Sequence, residues 1–301
     1  MAATLQPRRT TQTATTASNA PGRLRVRWDR VSILVALVVI FTTVVAYSLV
    51  DAITGDSKPT ATKPSPSIEV AKQATNIDNS NTQHECPPPA AKIIHTAPII
   101  TGESDATTRT VALTFDDGPG PATPAVLDVL AQSGVRATFF VVGQRAAAEP
   151  EMLRRIVAGG HAVGDHTWSH QTPSPRTGWT HRTLSREIER TKEAIFSATG
   201  LKPCLFRPPG GVVEGARTVT RAAGLSMILW SVDPRDWSAP PSKKFAPVIQ
   251  KRVAAGLDQE HPVILLHDGG GNRVATVAAL AGIINDYRSH GYRFVTLDQP
   301  R

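Results

Sequence analysis

The feature that most constrains the fold of this 301-residue chain is an alternation of short apolar segments with helical patterns after residue 86. The apolar segments mix Val, Ile, Leu and Phe with little polar alternation, as strands buried on both faces do. Such alternation predicts an α/β fold with a mainly parallel sheet, either open or closed into a barrel. The predicted strands are 110–115, 136–142, 161–164, 204–207, 226–232, 263–266 and 293–297, and the predicted helices are 123–134, 150–158, 184–198, 246–255 and 274–287.

Residues 31–50 constrain the location of the chain, because they form an apolar run of twenty positions without a charge. A helix of this length spans roughly 30 Å, the thickness of the hydrocarbon layer of a bilayer. Six arginines precede the run, so the positive-inside rule predicts a single-pass membrane helix with a cytoplasmic N-terminus. The chain after Val50 is then extracytoplasmic. A cleaved signal peptide and a secreted form are the alternative.

The polar segments on either side of this run complete a division into four parts. Residues 1–30 form a basic tail, and residues 51–85 are rich in Ser, Thr and Pro and predict a disordered linker. Residues 86–301 form the folded domain. Of the net charge of +8, the thirty-residue tail contributes +5, the linker −2 and the much longer folded part +5. The folded part has no basic patch with interleaved aromatic residues, so no nucleic-acid partner is predicted.

Two adjacent carboxylates, Asp116 and Asp117, follow the first predicted strand. Buried carboxylates are costly unless something pairs with them, so a doublet at this point is a candidate site. Successive side chains on an extended strand point to different sides, which allows the two carboxylates separate roles. The alternative is a plain turn, because Asp-Gly-Pro suits one.

His166 and His170 are spaced so that two imidazoles on one helical turn can meet one ion. The pair alone is a weak signal. The zinc-protease helix needs Glu after the first histidine, and Thr167 occupies that position, so this class is excluded. One Asp added to the two histidines gives three protein ligands with open positions, which is typical of a catalytic metal site.

Three further predicted strands end in polar clusters. Each cluster alone is compatible with an ordinary loop, a packed Trp or a hydrogen-bonded histidine. Together they indicate a site, because ligands bind at the carboxyl edge of parallel α/β sheets. The clusters are Arg207 with the turn through Gly210, Asp236 with Trp237, and His267 with Asp268.

The segments TFDDGP, HTWSH, FRPPGG, DPRDW and LLHD occur in this order in the chain. As a set they resemble the five motifs of the polysaccharide deacetylases, the NodB-homology domain of carbohydrate esterase family 4. The resemblance covers residues 105–301 and implies a distorted (β/α) barrel of about seven strands. It also implies metal-dependent removal of acetyl groups from N-acetylated sugar polymers, or from O-acetylated xylan in some members.

The resemblance also implies a role for each motif residue. Asp117, His166 and His170 resemble the metal ligands, with Zn²⁺ the favoured ion and Co²⁺, Mn²⁺, Ni²⁺ or Fe²⁺ as alternatives. Asp116 resembles the general base that takes a proton from the attacking water, and His267 resembles the general acid. The remaining roles are these: Arg207 orients Asp116, Asp236 orients His267, a backbone N–H at Gly210 binds the oxyanion, and Trp237 with Leu265 forms the pocket for the acetyl methyl.

This chain departs from the family pattern at two positions. Gly210 stands where an aromatic residue is usual, which puts one wall of the sugar groove in doubt. Asp165 stands before His166 where Asn is common, and a further carboxylate near the metal can alter affinity or ligand geometry. Neither change removes a predicted catalytic group.

Cys86 and Cys204 are the two cysteines of the chain. Both fall in the part predicted to be extracytoplasmic, where disulfides persist, so they are predicted to form a bridge. Such a bridge contributes about 4–5 kcal/mol to the free energy of unfolding in the chain-entropy model. Two separate buried thiols are the alternative.

These observations predict a membrane-anchored, extracytoplasmic deacetylase that acts on cell-wall polysaccharide. Peptidoglycan is favoured because a tethered enzyme meets its own wall first. Chitooligosaccharide deacetylase and acetylxylan esterase are the enzyme alternatives. A catalytically silent glycan-binding protein is disfavoured, because every motif residue needed for catalysis is present.

Overall fold

The computed structural model describes residues 86–98, 108–172 and 180–298. The predicted tail, membrane helix and linker, residues 1–85, lie outside these ranges, so those assignments stay predictions. Among the described residues, no helix combines the length and the apolar character that crossing a membrane requires.

A parallel sheet of seven strands forms the centre of the described part. Every strand pairing in it is parallel. This confirms the predicted parallel α/β fold. The strands are β1 (Thr110–Gly118), β2 (Thr138–Val141), β3 (Ala162–Asp165), β4 (Leu205–Phe206), β5 (Ser226–Met227), β6 (Val263–His267) and β7 (Arg293–Phe294). Their order is β5-β4-β3-β2-β1-β6, and β7 pairs with β1.

Strand β1 lies between β2 and β6, and all nine of its residues are buried. Val111, Leu113 and Phe115 pack into the largest apolar cluster, whereas Ala112 on the opposite face packs into a second cluster. Burial of both faces explains why the strand shows little polar alternation. Asp116 falls on the face of Ala112, because side chains alternate along a strand.

The two edges of the strand order, β5 and β6, are linked through short bridging segments. These links are what a distorted barrel requires. The predicted strand 226–232 is wrong in length, because the chain leaves β5 and crosses to β6 within a few residues. Leu229 N–H donates to the Ile94 carbonyl at 2.8 Å, but Ser231 N–H already donates to Val263 at 3.0 Å. The bridges pair Ile94 with Ile228, Thr96 with Pro262, and Val232 with Ile264.

Seven α-helices in the described ranges connect and flank the strands. Gly134 and Gly200 end two of them with φ values of 61° and 74°, in the left-handed region that favours glycine. The helices Gly143–Ala148 and Ala216–Ala222 were not predicted, because six or seven residues are too few to show a helical period. The helices are α1 (Thr123–Ser133), α2 (Gly143–Ala148), α3 (Pro150–Ala158), α4 (His181–Thr199), α5 (Ala216–Ala222), α6 (Ala246–Val253) and α7 (Val274–Ser289).

Thr123 does not cap α1. The cap position is Ala122, which makes no side-chain capping bond. The Thr123 hydroxyl instead donates to Asp268 Oδ2 at 2.5 Å and accepts the Gly120 N–H at 2.8 Å. The threonine therefore links the start of α1 to the end of β6.

A disulfide joins Cys86 to Cys204, which directly precedes β4. The segment after Cys86 then runs along the sheet, where the Ala90 N–H donates to Ser226 Oγ at 2.9 Å. The crosslink therefore holds the start of the described domain against β4 and β5.

Candidate active site

Five of the predicted site residues lie at the carboxyl ends of four parallel strands. Because these ends meet at one edge of the sheet, side chains distant in sequence come into contact. The positions are Asp116 and Asp117 on β1, His166 after β3, Arg207 after β4, and His267 at the end of β6.

The two carboxylates of β1 diverge because the strand is irregular between them. The β1–β2 register shifts between Asp116 and Gly118. Asp117 has a φ of 71°, in the left-handed region that residues other than glycine rarely adopt. Regular strand alternation, the reason predicted from sequence, is therefore not what separates the pair. A bulge re-aims the second side chain.

Asp117, His166 and His170 bring one ligand atom each within 4.8 Å of the others. Asp117 Oδ1 is 2.9 Å from His170 Nε2 and 3.5 Å from His166 Nε2. This oxygen is buried, and it makes no hydrogen bond within the described part of the chain. A carboxylate oxygen and two imidazole nitrogens around one point suit a divalent transition metal. We call these three residues the ligand cluster.

The charge state of Asp117 favours a cation. Burial raises the pKa of this carboxyl, but the imidazoles of His166 and His170 outweigh burial and hold the pKa well below its usual range. The carboxylate form is therefore favoured at this position, which suits the binding of a cation.

His166 and His170 lie in a loop after β3, and the helical turn predicted from their spacing is absent there. Thr167 and His170 have φ values of 67° and 56°, which curl the loop so that both rings approach Asp117. The Thr167 N–H donates to Asp165 Oδ1 at 2.8 Å, and this bond holds the loop in its unusual conformation.

The tautomer of His166 follows from its hydrogen-bond partner directly after β4. His166 Nδ1 lies 2.6 Å from the Arg207 carbonyl oxygen, which can only accept. Nδ1 therefore carries the proton, and Nε2 presents its lone pair to the ligand cluster. Metal-binding histidines are commonly oriented by such a bond.

Arg207 is fully buried and holds Asp116. Its Nη1 donates to Asp116 Oδ1 at 2.7 Å and to Thr114 Oγ1 at 2.8 Å. Its Nη2 donates to the Leu229 carbonyl at 3.0 Å, and the guanidinium lies 4.1 Å from the ring centroid of Phe140. A buried charge with this many partners fixes the orientation of the carboxylate.

His267 and Asp236 form a second buried pair. His267 Nδ1 is 2.8 Å from Asp236 Oδ1. Asp236 Oδ2 accepts the backbone N–H of His267 at 2.9 Å and the Thr276 hydroxyl at 2.8 Å. Burial lowers the pKa of His267, but Asp236, helped by the charges of Asp116 and Asp117, outweighs it and raises the pKa. The structure therefore favours a protonated imidazole.

The three residues predicted to contact substrate differ in exposure. Gly210 is exposed in the turn Pro209–Gly211 with a φ of 64°. Trp237 is 47% exposed next to Asp236, and Leu265 is buried. Leu265 lies two residues before His267 on β6, so both side chains fall on the same face of the strand.

Asp165, the predicted additional carboxylate, is not part of the ligand cluster. It is fully buried, and burial raises its pKa well above the usual range. The charges that act on it include those of Lys192 and Glu189 on α4. Its role is to hold the loop backbone at Thr167.

Two residues beside the cluster received no role from the sequence. Asp268 is buried, its N–H donates to the Asp116 carbonyl at 3.2 Å, and burial raises its pKa to about 7. Its place directly after His267 was the available signal. Arg145 donates to the Asp117 carbonyl. It had no signal, because α2 was not predicted.

Comparison with known proteins agrees with these motifs. The sequence model described as Polysaccharide deacetylase matches residues 103–228. A protein of Bacillus cereus named peptidoglycan-N-acetylglucosamine deacetylase is 38% identical over 204 residues, which cover 66% of this chain and 92% of that protein. The chain belongs to the polysaccharide deacetylase family. The resemblance inferred from the five motifs is thereby confirmed.

Two further similarities place this deacetylase among known sequences and structures. A chitooligosaccharide deacetylase of Sinorhizobium fredii is 38% identical over 202 residues, which cover 63% of this chain and 90% of that protein. The solved structure of a family 4 carbohydrate esterase from Streptomyces lividans, in complex with acetate, is 35% identical with a TM-score of 0.55. The match covers 62% of this chain and 92% of the esterase chain.

Proposed function

We propose that this deacetylase hydrolyses the acetamide group of N-acetylated sugars in a cell-wall polysaccharide, with peptidoglycan as its substrate. The observation that carries the proposal is the meeting, at one sheet edge, of the ligand cluster, an arginine-held carboxylate and a carboxylate-held imidazole. The similarity to the peptidoglycan deacetylase of Bacillus cereus supports the choice of substrate.

Asp117, His166 and His170 would hold the metal, and Zn²⁺ is the ion we propose, with Co²⁺, Mn²⁺, Ni²⁺ and Fe²⁺ as alternatives. A divalent ion bound there supplies Lewis acidity, which activates water and polarises a carbonyl. The buried Asp117 Oδ1, which lacks a hydrogen bond in the described part, supports this assignment.

Asp116 is placed to act as the general base. Its Oδ1 accepts from Arg207, whereas its Oδ2 lies 3.7 Å from His166 Nε2, on the side of the ligand cluster. This second oxygen is the one that would accept a proton from the attacking water. The buried guanidinium of Arg207 fixes this carboxylate in orientation.

His267 is placed to act as the general acid. Asp236 occupies its Nδ1, which leaves Nε2 to donate a proton to the departing amine. The raised pKa keeps the ring protonated before the carbon–nitrogen bond breaks. In this scheme the Gly210 N–H binds the developing oxyanion, and Trp237 with Leu265 lines the pocket for the acetyl methyl.

We also propose that residues 31–50 anchor the enzyme in the membrane with its catalytic domain outside. The support is the uncharged apolar run, the arginines before it, and the external location of the proposed substrate. Release after cleavage of this segment is the alternative.

The test of the activity uses the full chain in detergent, loaded with Zn²⁺, on peptidoglycan fragments and on chitooligosaccharides. Mass spectrometry should show loss of one acetyl group per modified sugar, and a chelator should abolish the reaction. The likeness to the Sinorhizobium fredii protein makes chitooligosaccharide deacetylation the second candidate, and a rate higher on those oligomers would favour it. Glycan binding without acetate release would contradict both.

A further inference from the structure

Residues 142–145, where β2 passes into α2, contact both chain segments that carry the ligand cluster. On the carboxylate side, the Val142 N–H donates to the Gly118 carbonyl at 2.9 Å. On the same side, Arg145 Nη1 donates to the Asp117 carbonyl. Two consecutive carbonyls at the end of β1 are therefore held from this junction.

The same junction also holds the histidine loop. The Gly143 N–H donates to the Thr167 carbonyl at 2.9 Å, and the Gln144 N–H donates to the Trp168 carbonyl at 3.0 Å. Both acceptors lie between His166 and His170. Four consecutive residues thus set the position of the carboxylate segment against that of the imidazole segment.

The backbone conformation of Asp117 depends most on these contacts. Its φ of 71° is disfavoured for a residue with a side chain, so the surrounding structure must hold it. The Asp116 carbonyl accepts from the backbone of Asp268 at 3.2 Å and of Gly269 at 3.4 Å, but the bond described at the Asp117 carbonyl comes from a side chain. Substitution of Arg145 can therefore remove the bond to the Asp117 carbonyl, whereas the backbone bonds cannot be removed in this way.

We propose that Arg145 is a positioning residue, which sets the distance between the Asp117 carboxylate and the two imidazoles by holding the Asp117 carbonyl. The proposal rests on the metal-dependent function proposed above. A guanidinium reaches this carbonyl from α2, so its loss frees the peptide that follows Asp117 without removing a ligand.

The test measures metal binding to the apoprotein. Calorimetry gives the affinity for Zn²⁺, and visible absorption reports the environment of bound Co²⁺. We expect Arg145→Gln to weaken the affinity about 10–100-fold, the usual effect of losing a bond that orients a ligand. The Co²⁺ spectrum should change as well. Arg145→Lys should recover part of the affinity, because an ammonium group can donate to the same carbonyl.

Arg288→Gln is the matched control, since Arg288 donates to the Ser133 carbonyl at 2.6 Å, far from the cluster in the chain. Metal affinity should be unchanged in this variant, and the metal-free melting temperatures of all variants should agree closely. Unchanged affinity and spectrum in Arg145→Gln would overturn the proposal, as would absence of metal binding by the parent chain. Metal binding without deacetylation would overturn the proposed function alone.

Discussion

Asp116 and Asp117 are neighbours in the chain, yet they contact different partners, so their substitution should have different effects. Asp116→Asn should keep the metal and lower turnover about 10²–10⁴-fold, the usual contribution of a placed base. Asp117→Asn should weaken metal binding and therefore also activity. Calorimetric Zn²⁺ titration and steady-state kinetics separate the two outcomes.

Asp128→Asn is a suitable control for this pair, because Asp128 is exposed on α1 and pairs only with the exposed Arg155 among the described ion pairs. Both metal binding and turnover should be unchanged. Loss of metal in Asp116→Asn with retention in Asp117→Asn would show that the two roles are inverted.

Asp236 should set the alkaline limit of activity through His267. A general acid works only while protonated, and the raised pKa of His267 keeps the ring protonated to higher pH. Asp236→Asn removes the main charge that raises this pKa. The alkaline limb of kcat/KM should therefore move to lower pH, by about 1–3 units for loss of a close opposite charge.

A pH–rate profile measures this shift, with Asp233→Asn as the control on the same loop. Asp233 is exposed and its Oδ1 accepts the Arg235 N–H at 2.7 Å, so its loss should leave the alkaline limb in place. An alkaline limb that does not move in Asp236→Asn would mean that His267 is not the acid.

At the scale of elements, helices were predicted more accurately than strands. Helix α3 agrees with its predicted bounds, and α4 extends its prediction by only a few residues, because proline starts and glycine stops are local signals. Strands β5 and β7 are each two residues long, much shorter than predicted. Their extent depends on which neighbour the chain pairs with, and no local pattern records that.

The site shows the same division between side chains and backbone. The sequence motifs predicted which side chains meet, and the structure brings Asp117, His166 and His170 together. They did not predict the bulge in β1 or the left-handed φ of Asp117, because these arise from contacts with segments far away in sequence. Arg145 was not predicted because it lies on α2, which is too short to show a helical period.

The turn after β6 packs so closely on β1 that Gly269 should tolerate no side chain. A Cβ on Gly269 would overlap the Asp117 carbonyl oxygen. Gly269→Ala should therefore lower the free energy of unfolding by about 1–3 kcal/mol, the usual cost of overpacking. It should also weaken metal binding, because Asp117 must move.

Gly200→Ala gives the comparison for this change. Gly200 has a φ of 74° and no heavy atom within 4 Å of an added Cβ, so only local backbone strain follows. Denaturant unfolding should show a cost in both variants, whereas Zn²⁺ titration should show a loss only in Gly269→Ala. Equal affinities in the two variants would mean that the β6 turn does not support the ligand cluster.

For the whole molecule, the proposed topology makes a prediction about intact cells. In this proposed topology, which rests on the arginines before Val31, the N-terminus is cytoplasmic and residues 51–85 are outside. Protease added to intact cells should therefore cut this linker and release an active fragment into the medium. A fragment that forms only after lysis would reverse the orientation, and an active protein already in the medium would indicate cleavage of the apolar segment.

The disulfide between Cys86 and Cys204 closes a covalent ring, and the ligand cluster lies inside that ring. Arg207, Asp236 and His267 lie beyond it in the sequence. In the denatured chain the ring confines Asp117, His166 and His170 to a smaller volume, whereas the residues of the proposed acid pair stay on an open chain. Reduction should therefore raise the conformational entropy of the denatured chain mainly between Cys86 and Cys204, where the ligand cluster lies. The segment that carries Asp236 and His267 should change far less.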